Sequence, residues 1–220
     1  MTDKKIRLYG NPDSLNLFIQ PVDAHGSGVA GTEAEQAAAI SGGDVFCIAE
    51  IRIDEWNKEL TPWKAEAVYG AEDFGDGARE TLGYILDTFI PAFENEYPAK
   101  DRRYFLCGYS LAGLFSLWAA YQTDIFHGVA AVSPSVWYKG WINFSENNEI
   151  KTHNVYLSLG DREEKTKNPV MAAVGNAIRR QERLLTERGI NTVLEWNPGN
   201  HFAGSAGRTA KGIAWLLGVK

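Results

Sequence analysis

The chain has 220 residues, 45% of them hydrophobic and 23% charged, with a formal net charge of −6. This is the balance of a folded globular protein with a sizeable core, and its length and even composition fit one domain over residues 1–220. The acidic charge gives no electrostatic basis for a nucleic-acid or anionic-membrane partner, no apolar run approaches the roughly 18 residues of a membrane span, and the charged N-terminus lacks the apolar stretch of a secretory signal.

In chain order, the apolar, β-branched and aromatic runs at 14–22 (SLNLFIQPV) and 44–51 (DVFCIAEI) predict buried strands. Between them, 31–41 reads as a helix that stops at Gly42-Gly43. Leu82, Ile85, Leu86, Phe89, Ile90, Phe93 and Tyr97 recur at helical spacing from about 76 to 97. Pro91 lies inside this segment and predicts a kink, and Pro98 ends it. A strand at 103–107, a helix at 111–122 and strands at 128–133 and 154–159 follow. A long helix at 169–188, a strand at 192–196 and a helix at 206–217 complete the chain. Such β-α alternation, with strands apolar on both faces, predicts a mostly parallel sheet covered by helices on both sides. Ligands bind such sheets at the carboxyl ends of the strands, so the loops there are where chemistry is expected. Cys47 and Cys107 both sit in apolar strand-like runs and read as buried, reduced thiols of a cytoplasmic protein.

The segment Gly108-Tyr109-Ser110-Leu111-Ala112-Gly113 follows one strand and opens a helix. It approximates G-x-S-x-G, the sharp bend that lifts a nucleophilic serine off a sheet; the plainer reading of Ser110 is a helix N-cap. A serine hydroxyl needs a base. His201, in EWNPGNHFAGS between the last strand and the last helix, hangs where that base is required. His127 and His153 precede strands and fall at the other end of the sheet. A carboxylate must orient the imidazole, and the loop GDREEKTKN offers Glu163, three residues after Gly160, or Asp161, which fits a turn cap equally. If neither serves, Ser110 and His201 form a dyad. Backbone N–H groups of Leu111 and of Asp23 or a neighbour are the candidates for holding an oxyanion, with His25 in the same loop as Asp23. Trp137, Trp56 and Trp63 are candidates for an apolar pocket wall, with Tyr138, Trp141 and Phe144 in the short insertion 134–153.

On GYSLAGLFSLWAA leading into FHGVAAVSPSVWY, on YLSLGDREE, on GNHF, on ELTPW and on AEDFGDGARETL, the chain resembles the esterase D and enterochelin-esterase-like branch of the α/β-hydrolases over about residues 45–216. The resemblance implies an α/β-hydrolase fold and a serine hydrolase of small-molecule carboxylic esters; the short insertion 134–153 reads as a minimal lid, and the residues show no metal-ligand cluster and call for no cofactor. The glycine-rich oxyanion motif of many relatives is replaced here by QPVDAHGSG. An acyltransferase or thioesterase would use the same residues, and a binding protein would keep the fold without the chemistry. An iron-siderophore ester would call for a basic patch, and none is legible in the sequence. Assembly into a homo-oligomer, the physiological ester and the acyl-chain length are open.

Overall fold

The computed structural model describes residues 4–23 and 28–219. Seven strands form one sheet in the order β1-β3-β2-β4-β5-β6-β7. They are β1 (Ile6–Gly10), β2 (Asn16–Val22), β3 (Cys47–Arg52), β4 (Arg103–Tyr109), β5 (Phe126–Val132), β6 (Asn154–Gly160) and β7 (Asn191–Asn197). All pairings are parallel except β1 with β3. This is the mostly parallel sheet that the alternation of strands and helices predicts.

β1 is the strand the sequence pattern does not predict. It lies at the edge of the sheet, with Ile6 and Arg7 exposed and Leu8 and Tyr9 only half-buried. A strand paired on one side carries no continuous apolar run, so its sequence IRLYG has no strong period.

Helices cover both faces. On one side, α1 (Val29–Ser41) and α9 (Ser205–Leu217) pack on Phe18, Ile48, Phe105, Ala130 and Tyr156. On the other, α5 (Leu111–Gln122), α8 (Val174–Glu187) and the segment 78–96 close a larger core around Leu106, Phe115 and Leu157. One-turn helices α2 (Trp56–Glu59) and α7 (Pro169–Ala172) and the short α6 (Trp141–Asn147) lie in the connections. The helix expected over 169–188 is thus α7 and α8. Asn168 caps the first through its side chain, which accepts from the Val170 and Met171 N–H groups.

The segment 78–96 begins as α3 (Ala78–Tyr84), widens into a π-turn (Ile85–Phe89) and resumes as α4 (Ile90–Glu96). Pro91 has no N–H and its ring would meet the carbonyl a turn earlier. The wider turn just upstream takes up that conflict, so the expected kink is a π-bulge.

The insertion 134–153 is packed rather than lid-like. Tyr138 and Trp141 are buried, and Phe144 packs against Trp63, Tyr121 and Trp141. The Trp141 indole N–H donates to Gln181 Oε1 at 3.0 Å, and Gln181 in turn donates to the Tyr121 hydroxyl at 3.1 Å. Trp141→Phe leaves the Gln181 acceptor buried without its donor, and is expected to cost about 1–3 kcal/mol in urea unfolding with an unchanged m-value.

Candidate active site

Ser110 is the single residue between the end of β4 and the start of α5, with φ 61° and ψ −120°. A side-chain-bearing residue in this region costs about 1–3 kcal/mol and persists only when its surroundings impose it. They do so here through the backbone. The Ser110 N–H donates to the Val132 carbonyl, and its own carbonyl accepts from the Leu114 and Ser135 N–H groups, each at 3.1 Å. A Cβ on Gly108 would stand 2.2 Å from the Ala112 carbonyl oxygen, and one on Gly113 would stand 3.0 Å from that of Gly108. The glycines at 108 and 113 are therefore what let strand and helix meet, while position 112 accommodates a buried alanine.

Three loops at the carboxyl end of the sheet converge on Ser110. His201, after β7, places Nε2 3.1 Å from Ser110 Oγ. Its Nδ1 lies 2.7 Å from Glu163 Oε2, in the loop after β6. The other Glu163 oxygen accepts from Ser133 Oγ at 2.7 Å, from the Gly160 N–H at 2.7 Å and from Arg208 Nη1 at 2.8 Å. Burial draws the Glu163 carboxyl upward, but the hydrogen bond and charge of His201, with the Gly160 and Ser133 bonds, outweigh it and hold the group below the ordinary carboxylate value. Glu163 is an anion only 6% exposed.

Arg208, in the first turn of α9 and 3% exposed, is the residue the sequence reading missed. Besides Glu163, its Nη1 reaches Ser133 Oγ at 3.0 Å. Its Nη2 donates to the Pro198 and Asn200 carbonyls at 3.1 and 3.0 Å, inside the loop that carries His201. One guanidinium thus fixes both the acid and the loop of the imidazole. The available signal was an arginine on the buried stripe of α9, one turn before Gly212 and two before Leu216. Gly160 makes room for it, because a Cβ there would stand 2.7 Å from Arg208 Nη2 and 2.4 Å from the Gly199 carbonyl oxygen.

The other sequence candidates separate. Asp161 accepts from the Gly199 N–H at 2.9 Å and pins the turn between the two loops, while His201 meets Glu163. Leu111 starts α5, where the first N–H groups have no carbonyl within the helix to bond. Asp23 borders the cavity that opens on Ser110; His25 lies outside the described residues. Trp56 lines the same cavity, of about 480 Å³, together with Gln20, Glu33 and His201. Trp137 borders a second cleft, of about 320 Å³, on the Glu163 side of His201. Trp63 lines neither; its indole N–H donates to the Lys139 carbonyl at 2.7 Å and its ring packs on Tyr138. His127, at the start of β5, packs edge-on against Phe105, and His153 directly precedes β6. The sequence shows no basic patch, yet Arg162, Lys165 and Lys167 meet on the rim of the second cleft. They come from one loop with acids interleaved, which hides them in a linear reading. Among the described residues no group of three or more His, Cys, Asp or Glu side chains gathers as metal ligands would, and no helix is long and apolar enough to cross a membrane.

The family model described as "Putative esterase" matches residues 35–203. The chain belongs to that family. It is an ester hydrolase on the α/β-hydrolase fold, as the sequence resemblance implies. Its fold is similar to that of an IroE-like serine hydrolase from Shewanella oneidensis, at 15% identity and TM-score 0.80, covering 96% of this chain and 75% of that one. It is also similar to the siderophore hydrolase EstA from Aspergillus nidulans, at 19% identity and TM-score 0.70, over 97% and 89% of the two chains. The enterobactin esterase FES from Shigella flexneri matches at 15% identity and TM-score 0.68, over 97% of this chain and 55% of its own. Among curated protein sequences nothing matches this esterase.

Two stability measurements check the reading of this geometry. Because only glycine relieves a backbone at φ 61°, Ser110→Gly is expected to unfold at higher urea than Ser110→Ala, by about 1–2 kcal/mol. Because the Glu163–Arg208 pair is buried, Arg208→Met is expected to cost about 3–5 kcal/mol, and combining it with Glu163→Gln is expected to cost less than the sum of the two.

Proposed function

We propose that Ser110, His201 and Glu163 form the nucleophile, base and orienting acid of a carboxylic-ester hydrolase working through an acyl-enzyme. The observation that carries this is the continuous chain from Ser110 Oγ to His201 Nε2 at 3.1 Å and from His201 Nδ1 to Glu163 Oε2 at 2.7 Å, assembled from three separate loops. Ser110 Oγ forms a bond to the ester carbonyl carbon as its proton passes to His201 Nε2. The tetrahedral oxyanion faces the Leu111 N–H at the start of α5, with the backbone of Asp23, which borders the same cavity as Ser110, as the second donor. The carbon–oxygen bond to the alcohol then breaks, and the imidazolium returns its proton to the departing oxygen. Water repeats the sequence: its proton goes to His201, its oxygen bonds the acyl carbon, and Ser110 leaves with the proton restored. Glu163 stays ionised throughout, since its lowered pKa and four donors keep the charge in place. Its role is to fix the tautomer and to balance the imidazolium.

Two buried free thiols, Cys47 and Cys107, favour a reducing compartment such as the cytoplasm. Burial pushes the Cys47 thiol up to about 11, so it is kept protonated and unreactive at neutral pH.

A fluorophosphonate probe should add covalent mass to the peptide containing Ser110, and none to Ser110→Ala. Hydrolysis of simple esters should fall by about a thousandfold or more in Ser110→Ala and in His201→Ala. Labelling at another residue, or activity surviving in Ser110→Ala, would remove the nucleophile assignment.

A further inference from the structure

The cavity that opens on Ser110 carries two polar side chains that the ester chemistry does not use. Glu33, on the face of α1 that packs toward the sheet, is 3% exposed and lines this cavity. Gln20, on β2 and 4% exposed, lines it too and donates from Nε2 to Glu33 Oε2 at 2.7 Å. Gln20 Oε1 is left buried with no hydrogen-bond partner among the described residues. An orphaned buried acceptor is unfavourable unless something donates to it. Its neighbours on the cavity wall, Glu33 and Asp23, bring acceptors and negative charge, and the described lining contains no lysine or arginine. The nearby buried Glu50 is differently placed. It accepts from the Gly28 N–H at 2.9 Å and lies 3.8 Å from Arg7, and it does not line the cavity.

A wall made of acceptors beside carboxylates matches a ligand group that carries hydrogen-bond donors and positive charge. We infer that the Gln20–Glu33 wall is a subsite for an ammonium group, so that the preferred substrates are amine-bearing esters whose cation sits in this cavity while the ester carbonyl meets Ser110. The inference rests on the proposed role of Ser110. An N–H of the ligand supplies the missing donor to Gln20 Oε1, and the positive charge faces Glu33 across a cavity of about 480 Å³. Trp56 and the exposed Phe202 border the same space and would cover the apolar stem next to the amine. Burial raises the Glu33 carboxyl to about 7, against hydrogen bonds from Gln20 and Thr209, with Glu50 pushing the same way as burial. A bound ammonium favours the ionised form of that carboxyl.

The test compares two esters of nearly identical shape at pH 8, 2-(dimethylamino)ethyl butyrate and 3-methylbutyl butyrate, by titrating released acid. Wild type is expected to show a kcat/KM at least about tenfold higher for the amine ester. In Glu33→Gln the ratio is expected to fall toward one, whatever the absolute rates. Equal kcat/KM for the two esters in wild type, or preference for the uncharged one, overturns the inference, and that result needs no variant. The corresponding amides, which are not cleaved, keep the two readings apart. If neither ester is hydrolysed and the fluorophosphonate probe leaves Ser110 unlabelled, the assignment of Ser110 fails, yet tighter binding of the amine-bearing amide than of its 3-methylbutyl counterpart by NMR titration still supports the subsite. Equal binding of the two amides sinks it.

Discussion

A single carboxylate, that of Glu163, is taken out of water at the point where three loops of the sheet meet. Burying an anion is unfavourable by several kcal/mol unless its lone pairs are filled and its charge is balanced. Here the filling is complete: Ser133 from the end of β5, the Gly160 amide from the end of β6, Arg208 from α9 and His201 from the loop after β7 all donate to it. Each donor belongs to a different part of the fold, so the carboxylate ties those parts to one another. The imidazole that reaches Ser110 is oriented only because this junction is closed. Arg208 carries the same logic further, since its second nitrogen grips the backbone on either side of Gly199 and keeps the His201 loop at the right height.

Close approach at the serine has a related physical character. β4 runs into α5 with one residue of turn, and that residue is held at a positive φ by backbone bonds to β5 and to the stretch just after it. The strain is local, and the apolar packing of the two elements it joins bears it: Leu106, Cys107, Leu111 and Leu114 are all fully buried. A rigid strand and a rigid helix present the hydroxyl, so little conformational entropy is left to lose when a substrate arrives.

Charge is divided across the site although the chain as a whole is acidic. The cavity on the Ser110 side is lined by Asp23 and Glu33, whereas the cleft beyond His201 has Arg162, Lys165 and Lys167 on its rim. Phe202, 88% exposed, stands between them and borders both. Side chains of opposite charge therefore flank His201 on its two sides.

Much of this was legible in the chain. The parallel strands are buried on both faces and so appear as apolar runs, the helices keep their 3.6-residue period, and glycine, serine and histidine fall where strands give way to helices; local chemistry alone sets those features. The choice between Glu163 and Asp161 was not legible, because two carboxylates two residues apart differ only in which one the turn after β6 directs inward. The π-turn before Pro91 and the edge strand β1 lay equally beyond the pattern, one being a compromise between a proline ring and a helix, the other a strand with a single neighbour. Arg208 and the pair Gln20–Glu33 depend on contacts between residues separated by 45 and 13 positions. Sequence determined the parallel strands, the bend at Ser110 and the place of His201; only tertiary packing decided which acid, cation and acceptor share a buried space, because the free energy of a buried charge depends on every group around it and not on its neighbours in the chain.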